Sequence, residues 1–87
     1  VANAPFPAEI TLDVAPAALE AARAALRQAS GPLDLSPLQR FDSTAVAVLV
    51  ALRRDAGPGL AFRNAPPNLR KLASLYGVEA VLFGPGA

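Results

Sequence analysis

Hydrophobic and polar residues alternate from Glu9 to Val14. Ile10, Leu12 and Val14 fall on one side, and Glu9, Thr11 and Asp13 on the other. A period of two predicts a half-buried strand. The period then lengthens. Between Pro16 and Ser30, Leu19, Ala22 and Leu26 form an apolar stripe at helical spacing, with Glu20, Arg23 and Arg27 on the outer face. Pro16 suits a first helical position and Gly31 the left-handed residue beyond the last turn, so a helix is predicted over 16–30. Pro32–Ser36 alternates again, Leu33 and Leu35 against Asp34 and Ser36, and reads as a short strand. Pro37–Phe41 then carries the chain to a polar corner, Asp42-Ser43-Thr44.

The segment beyond that corner gives conflicting signals. Val46, Val48 and Val50 are β-branched and alternate, which favours a strand. Asp42 and Ser43 are good N-cap residues, however, and Arg53-Arg54-Asp55 closes the apolar run before Gly57. Start and stop signals this far apart predict a helix. On its wheel Ala45, Val48, Leu49 and Leu52 share one face, Val46 and Val50 project to its flank, and Ala47 and Ala51 lie beyond. A helix apolar over so much of its circumference needs covering on more than one side. A neighbouring helix or another protein can supply the cover.

Past Gly57-Pro58-Gly59, Leu60–Arg63 reads as a short strand with Leu60 and Phe62 facing one way. Asn64-Ala65-Pro66-Pro67 predicts a turn into a helix, since prolines are tolerated at the first helical positions. Leu69, Leu72, Ala73 and Tyr76 follow at helical spacing, and Gly77 ends the run. Val78–Phe83 is apolar and short, a strand or a helical turn, and Gly84–Ala87 is expected to be loose. The predicted order is β-α-β-α-β-α-β. Repeated strand–helix units imply parallel strand pairs through right-handed crossovers. The expectation is one α/β domain over residues 1–87, with a core from about 9 to 83 and a roughly four-stranded sheet.

Composition narrows the chemistry. The 87 residues contain no Cys and no His. Disulfides, a thiolate nucleophile and the usual general base are therefore absent. Only an oxygen-ligand site for a hard cation would be open, and the seven acids are spread along the chain without a cluster. No metal or cofactor is expected. Eight basic residues against seven acids give +1. That balance argues against a nucleic-acid footprint or a polybasic membrane anchor. The longest apolar stretch, Ala45–Leu52, is far shorter than the roughly 20 residues a membrane span needs. Val1–Pro7 has neither the charge nor the apolar run of a secretory signal. A chain starting at Val1 reads as processed or trimmed, and a cytoplasmic location is the default. Gly57-Pro58-Gly59 has neither the spacing nor the Lys of a phosphate loop, and nothing can activate Ser43 as a nucleophile. The chain is expected to bind a partner, not to be an enzyme.

Three segments carry a family resemblance. Leu33-Asp34-Leu35-Ser36, then Phe41-Asp42-Ser43-Thr44 opening an apolar helix, then Asn64-Ala65-Pro66-Pro67-Asn68-Leu69 with Leu75-Tyr76-Gly77-Val78, resemble the STAS domain family. That family comprises sulfate-transporter C-terminal domains and anti-sigma-factor antagonists. The resemblance runs from about Glu9 to Phe83. It implies a mixed sheet flanked by helices and supports a helix at Ser43–Ala56. The length and the early first strand look most like the STAS subunit of the Mla phospholipid-transport ABC system, which serves outer-membrane lipid asymmetry.

That resemblance implies a cytoplasmic accessory subunit, peripheral at the inner membrane, that binds the transporter's ATPase and through it the permease. No nucleic acid and no direct membrane insertion are implied. The matching contact residue is the hydroxyl directly after the Asp, here Ser43. In the antagonists it is a phosphorylated switch, so the alternative function is an anti-sigma-factor antagonist acting through Ser43 phosphorylation. Where the family commonly has Gly, this chain has Ala45. The candidate partner-binding residues are Asp42, Ser43, Thr44, Val46, Ala47, Val50 and Asn64. Each has a plainer structural reading: N-cap for Ser43 or Asp42, first-turn residue for Thr44, packing for Val46, Ala47 and Val50, turn cap for Asn64. Arg53 and Arg54 read as a solvated helix end, and Arg63, Arg70 and Lys71 as a solvated face.

Overall fold

The alternating stretch that opens the chain is a strand only over Glu9–Ile10 (β1); Leu12–Val14 then winds into a 3-10 turn. The computed structural model describes residues 6–28, 31–57 and 59–84. After β1 come helix α1 (Ala15–Gln28), strands β2 (Leu33–Asp34) and β3 (Arg40–Phe41), and helix α2 (Ser43–Ala56). Strand β4 (Phe62–Arg63) and helices α3 (Pro67–Leu75) and α4 (Glu79–Phe83) complete the order. The predicted helix end at Ser30, the Pro58 turn and the tail beyond Gly84 lie outside the described residues, as does Val1–Pro5.

The expected β1 is cut short because its partner ends. β1 pairs in parallel with β3, Glu9 opposite Arg40 and Ile10 opposite Phe41, and the last bond runs from Asp42 N–H to the Ile10 carbonyl at 3.3 Å. Beyond Phe41 the partner chain turns into α2, so Leu12 has no ladder to join. Leu12 is therefore 74% exposed instead of facing inward with Ile10. β3 itself falls within the stretch read as a connection. β2 pairs in parallel with β4, Leu33 opposite Phe62. Among the described residues the strands thus form two separate parallel pairs, not the single mixed sheet expected. The closing segment is the helical turn α4, not a strand. Gly77, at φ 74°, starts that change of direction. Its N–H reaches the Ser74 carbonyl (3.0 Å) and Val78 N–H that of Ala73 (2.9 Å), the paired bonds of a Schellman ending.

Helix α2 is the hub, packing against α1, α3 and α4. Its wheel holds as predicted: Ala45, Val48, Leu49 and Leu52 are buried. The flank is covered from within the domain, because Val46 is only 6% exposed and Val50 is packed on the core. α1 is rotated from its expected stripe. It buries Ala18, Ala22 and Ala25, with Leu19 and Leu26 at the margin. Small residues on that face let α1 approach the crowded α2, and Arg23 of α1 meets Asp55 of α2 at 3.3 Å beside it. Leu69 and Ala73 fill the core from α3 and Leu82 from α4. Tyr76, expected to continue the α3 stripe, is 56% exposed at the helix end. No described helix is long and apolar enough to cross a membrane.

Candidate functional site

The polar corner is built by Asp42. Its backbone is extended and its carboxylate accepts from the Thr44 N–H at 2.8 Å, which makes Asp42 the N-cap of α2. The other carboxylate oxygen accepts from the Leu12 N–H at 3.1 Å. One side chain thus ties the end of β1 to the start of α2. The Thr44 hydroxyl, then the N–H groups of Leu12 and Thr44, hold the Asp42 carboxyl below its ordinary value. The capping role shared at sequence level between Asp42 and Ser43 therefore belongs to Asp42.

Ser43 is left over. It is the first helical residue, it is exposed, and its hydroxyl enters none of the described hydrogen bonds. Its plain reading as a cap is overturned. Thr44 is half-buried against Asp42. Ala47, one turn further along α2, is exposed on the surface that continues from Ser43. Val46 is part of the core and has almost no surface to offer, while Val50 is half-buried. Ala45, in the position of the usual Gly, is fully buried, so its methyl group faces the core and not the outside.

Asn64 stands apart from this corner. It adopts a left-handed φ of 59°, which Asn tolerates better than most residues, and donates to the Asp34 carboxylate at 3.0 Å. Asp34 also accepts from the Ser36 N–H and hydroxyl at 3.0 and 3.1 Å. The Ser36 N–H first, then Asn64, hold the Asp34 carboxyl below its ordinary value. Asn64 therefore clamps the ends of β2 and β4, and no described bond joins it to Asp42, Ser43 or Thr44.

Toward the other end of α2, about 15 Å away at 1.5 Å per residue, Arg53 is no solvated residue. Its Nε donates to the Val81 carbonyl (3.1 Å) and Nη2 to that of Leu82 (2.8 Å). Nη1 donates to the carbonyls of Gly57 (3.1 Å) and Leu60. The guanidinium also lies 5.3 Å from the centre of the Phe62 ring. It satisfies the end of α4 and the loop after α2 together. An open hollow of about 600 Å³ lies there, lined by Arg53, Leu60, Phe62, Val81 and Phe83 among others. With its donors occupied by backbone carbonyls, Arg53 has little left for an anionic ligand.

Beside Asp42 the sequence pattern placed one residue wrongly: Leu12, an exposed apolar side chain whose N–H is bonded to the Asp42 carboxylate. A strand reading turns it inward; only the early end of β3 could have signalled otherwise. A small α/β domain in which a brief parallel strand runs into an Asp-Ser corner opening its central helix has the build of a STAS domain. The family model described as "Mlab, STAS domain" matches residues 8–83, and the chain belongs to that family. Neither a curated protein nor a solved structure matches the chain.

Proposed function

We propose that this chain is a non-enzymatic accessory subunit that docks on the ATPase of a phospholipid-transport ABC system of the Mla type. The observation that carries the proposal is the exposed Ser43 hydroxyl, which enters none of the described hydrogen bonds. With Asp42 capping α2, a hydroxyl at the first helical position is available to an outside partner. Ala47 extends that surface along the helix, and its small side chain lets another backbone come close. The membership in the Mlab-type family supports the choice of partner. The proposal places the chain at the cytoplasmic face of the inner membrane through that ATPase, with no cofactor and no reaction of its own.

The same exposed hydroxyl is also accessible to a kinase, which keeps the phospho-switch as the second reading. A phosphate there would sit at the positive end of the α2 dipole, compatible with the fold. Its two negative charges beside Asp42 would repel an acidic partner surface.

Affinity purification from native cells, read by mass spectrometry, separates the two. Co-purification of an ABC ATPase with its permease supports the transporter reading, whereas a kinase-like anti-sigma factor in their place overturns it. Ser43→Glu is then expected to weaken binding to the recovered ATPase with the helical circular dichroism unchanged. Equal affinity would remove the α2 N-terminus from the contact.

A further inference from the structure

We infer that Leu12 is an apolar anchor on the same docking surface as Ser43, fitting a protein partner whose socket is apolar at its floor and cationic at its rim. The inference rests on the reading that the start of α2 is where the partner docks. An isolated exposed leucine is ordinary on a protein surface. Leu12 differs in how it is held. Its N–H is bonded to Asp42, the residue that caps α2, and the turn behind it is closed by Val14 N–H to the Thr11 carbonyl at 3.1 Å. It is thus fixed to the same carboxylate that fixes the helix start bearing Ser43. With the backbone that carries it already held, covering Leu12 costs only the freedom of its own side chain. Leu75 and Val81, also exposed, sit on α3 and α4 and have no such connection to the corner.

Charge specifies the partner. Asp13 and Asp42 flank Leu12, both exposed, and neither enters a described ion pair. Arg40, on the strand paired with β1, is itself paired with Glu9 at 4.0 Å. An apolar projection beside two carboxylates that enter no described ion pair complements an apolar pocket edged by Arg or Lys and repels an acidic one.

The test is titration of the wild-type chain, Leu12→Ser and Ser43→Glu against the purified ATPase subunit, with thermal melts of each variant. Leu12 supports no core packing, so Leu12→Ser should melt with the wild type. Loss of a buried leucine contact is expected to weaken binding about tenfold or more. Weakening by both variants supports a shared surface. Unchanged affinity for Leu12→Ser with weakening by Ser43→Glu overturns the Leu12 anchor and leaves the α2 reading standing. Weakening by Leu12→Ser alone overturns the shared surface, and weakening by neither removes the α2 reading and the anchor together. Asp13→Asn should reduce the loss of affinity on adding salt; an unchanged salt response overturns the cationic rim.

Discussion

The Asp42 carboxylate accepts from Thr44 at the start of α2 and from Leu12 at the end of β1, and Asp34 accepts from Ser36 and Asn64. Both acids are held below their ordinary value. A lowered folded-state value means the ionised form is favoured by folding. That contribution is complete above the unfolded value, about 3.9, and is lost as pH falls through the folded one. The melting temperature should therefore hold from neutral pH to about 5 and fall below about 4. A combined Asp34→Asn, Asp42→Asn variant should show a shallower acid fall, and an identical one would mean these bonds do not govern it. Arg53 gives a second residue-level prediction. Arg53→Ala leaves four backbone carbonyls without their donor and should cost about 2–3 kcal/mol, lowering the melting temperature by about 10 °C or more. Lys cannot reproduce the planar fork, so Arg53→Lys should recover only part of that loss. The sequence made Asp42 and Ser43 equivalent candidates for the cap, because both residue types perform it well. It placed Arg53 in solvent because its carbonyl partners lie up to 29 residues away.

At the scale of the element, α2 carries two unlike surfaces. Leu49 is fully buried where the helix meets its neighbours. Leu49→Ala should cost about 2–4 kcal/mol, measured by denaturant unfolding. Ala47 is exposed, and Ala47→Leu should change stability by no more than about 0.5 kcal/mol. If the start of α2 docks on a partner, the same Ala47→Leu should weaken binding through steric clash. A stability loss at Ala47 comparable to that at Leu49 would show the exposed face to be packed after all. The bounds of α2 were readable from Asp42 at one end and Gly57 at the other, against the β-branched alternation of Val46, Val48 and Val50. Capping and length outweighed local propensity there. β3 was not readable. Two residues, Arg40 and Phe41, are too few to show a period, and they are a strand only because Ala8–Ile10 lies alongside.

For the whole molecule, an 87-residue chain with no disulfide has a total stability of only about 4–13 kcal/mol. Any one of the larger core losses above is a sizeable share of that. A melt of the wild-type chain should accordingly be cooperative, with Leu49→Ala and Arg53→Ala together close to unfolding at 37 °C. The sequence by itself determined the α/β class, the span of α2, the starts of α1 and α3, the stop at Gly77 and the family. These depend on local periodicity, caps and turn residues, which act over a few neighbours along the chain. Tertiary structure alone decided that the strands form two parallel pairs and that α1 turns its alanines inward. It also decided that the Asp42 carboxylate holds the Leu12 N–H, 30 residues away, and that Leu12 points outward. Each of these depends on which distant segment occupies the neighbouring space, a relation that residue spacing along the chain does not encode.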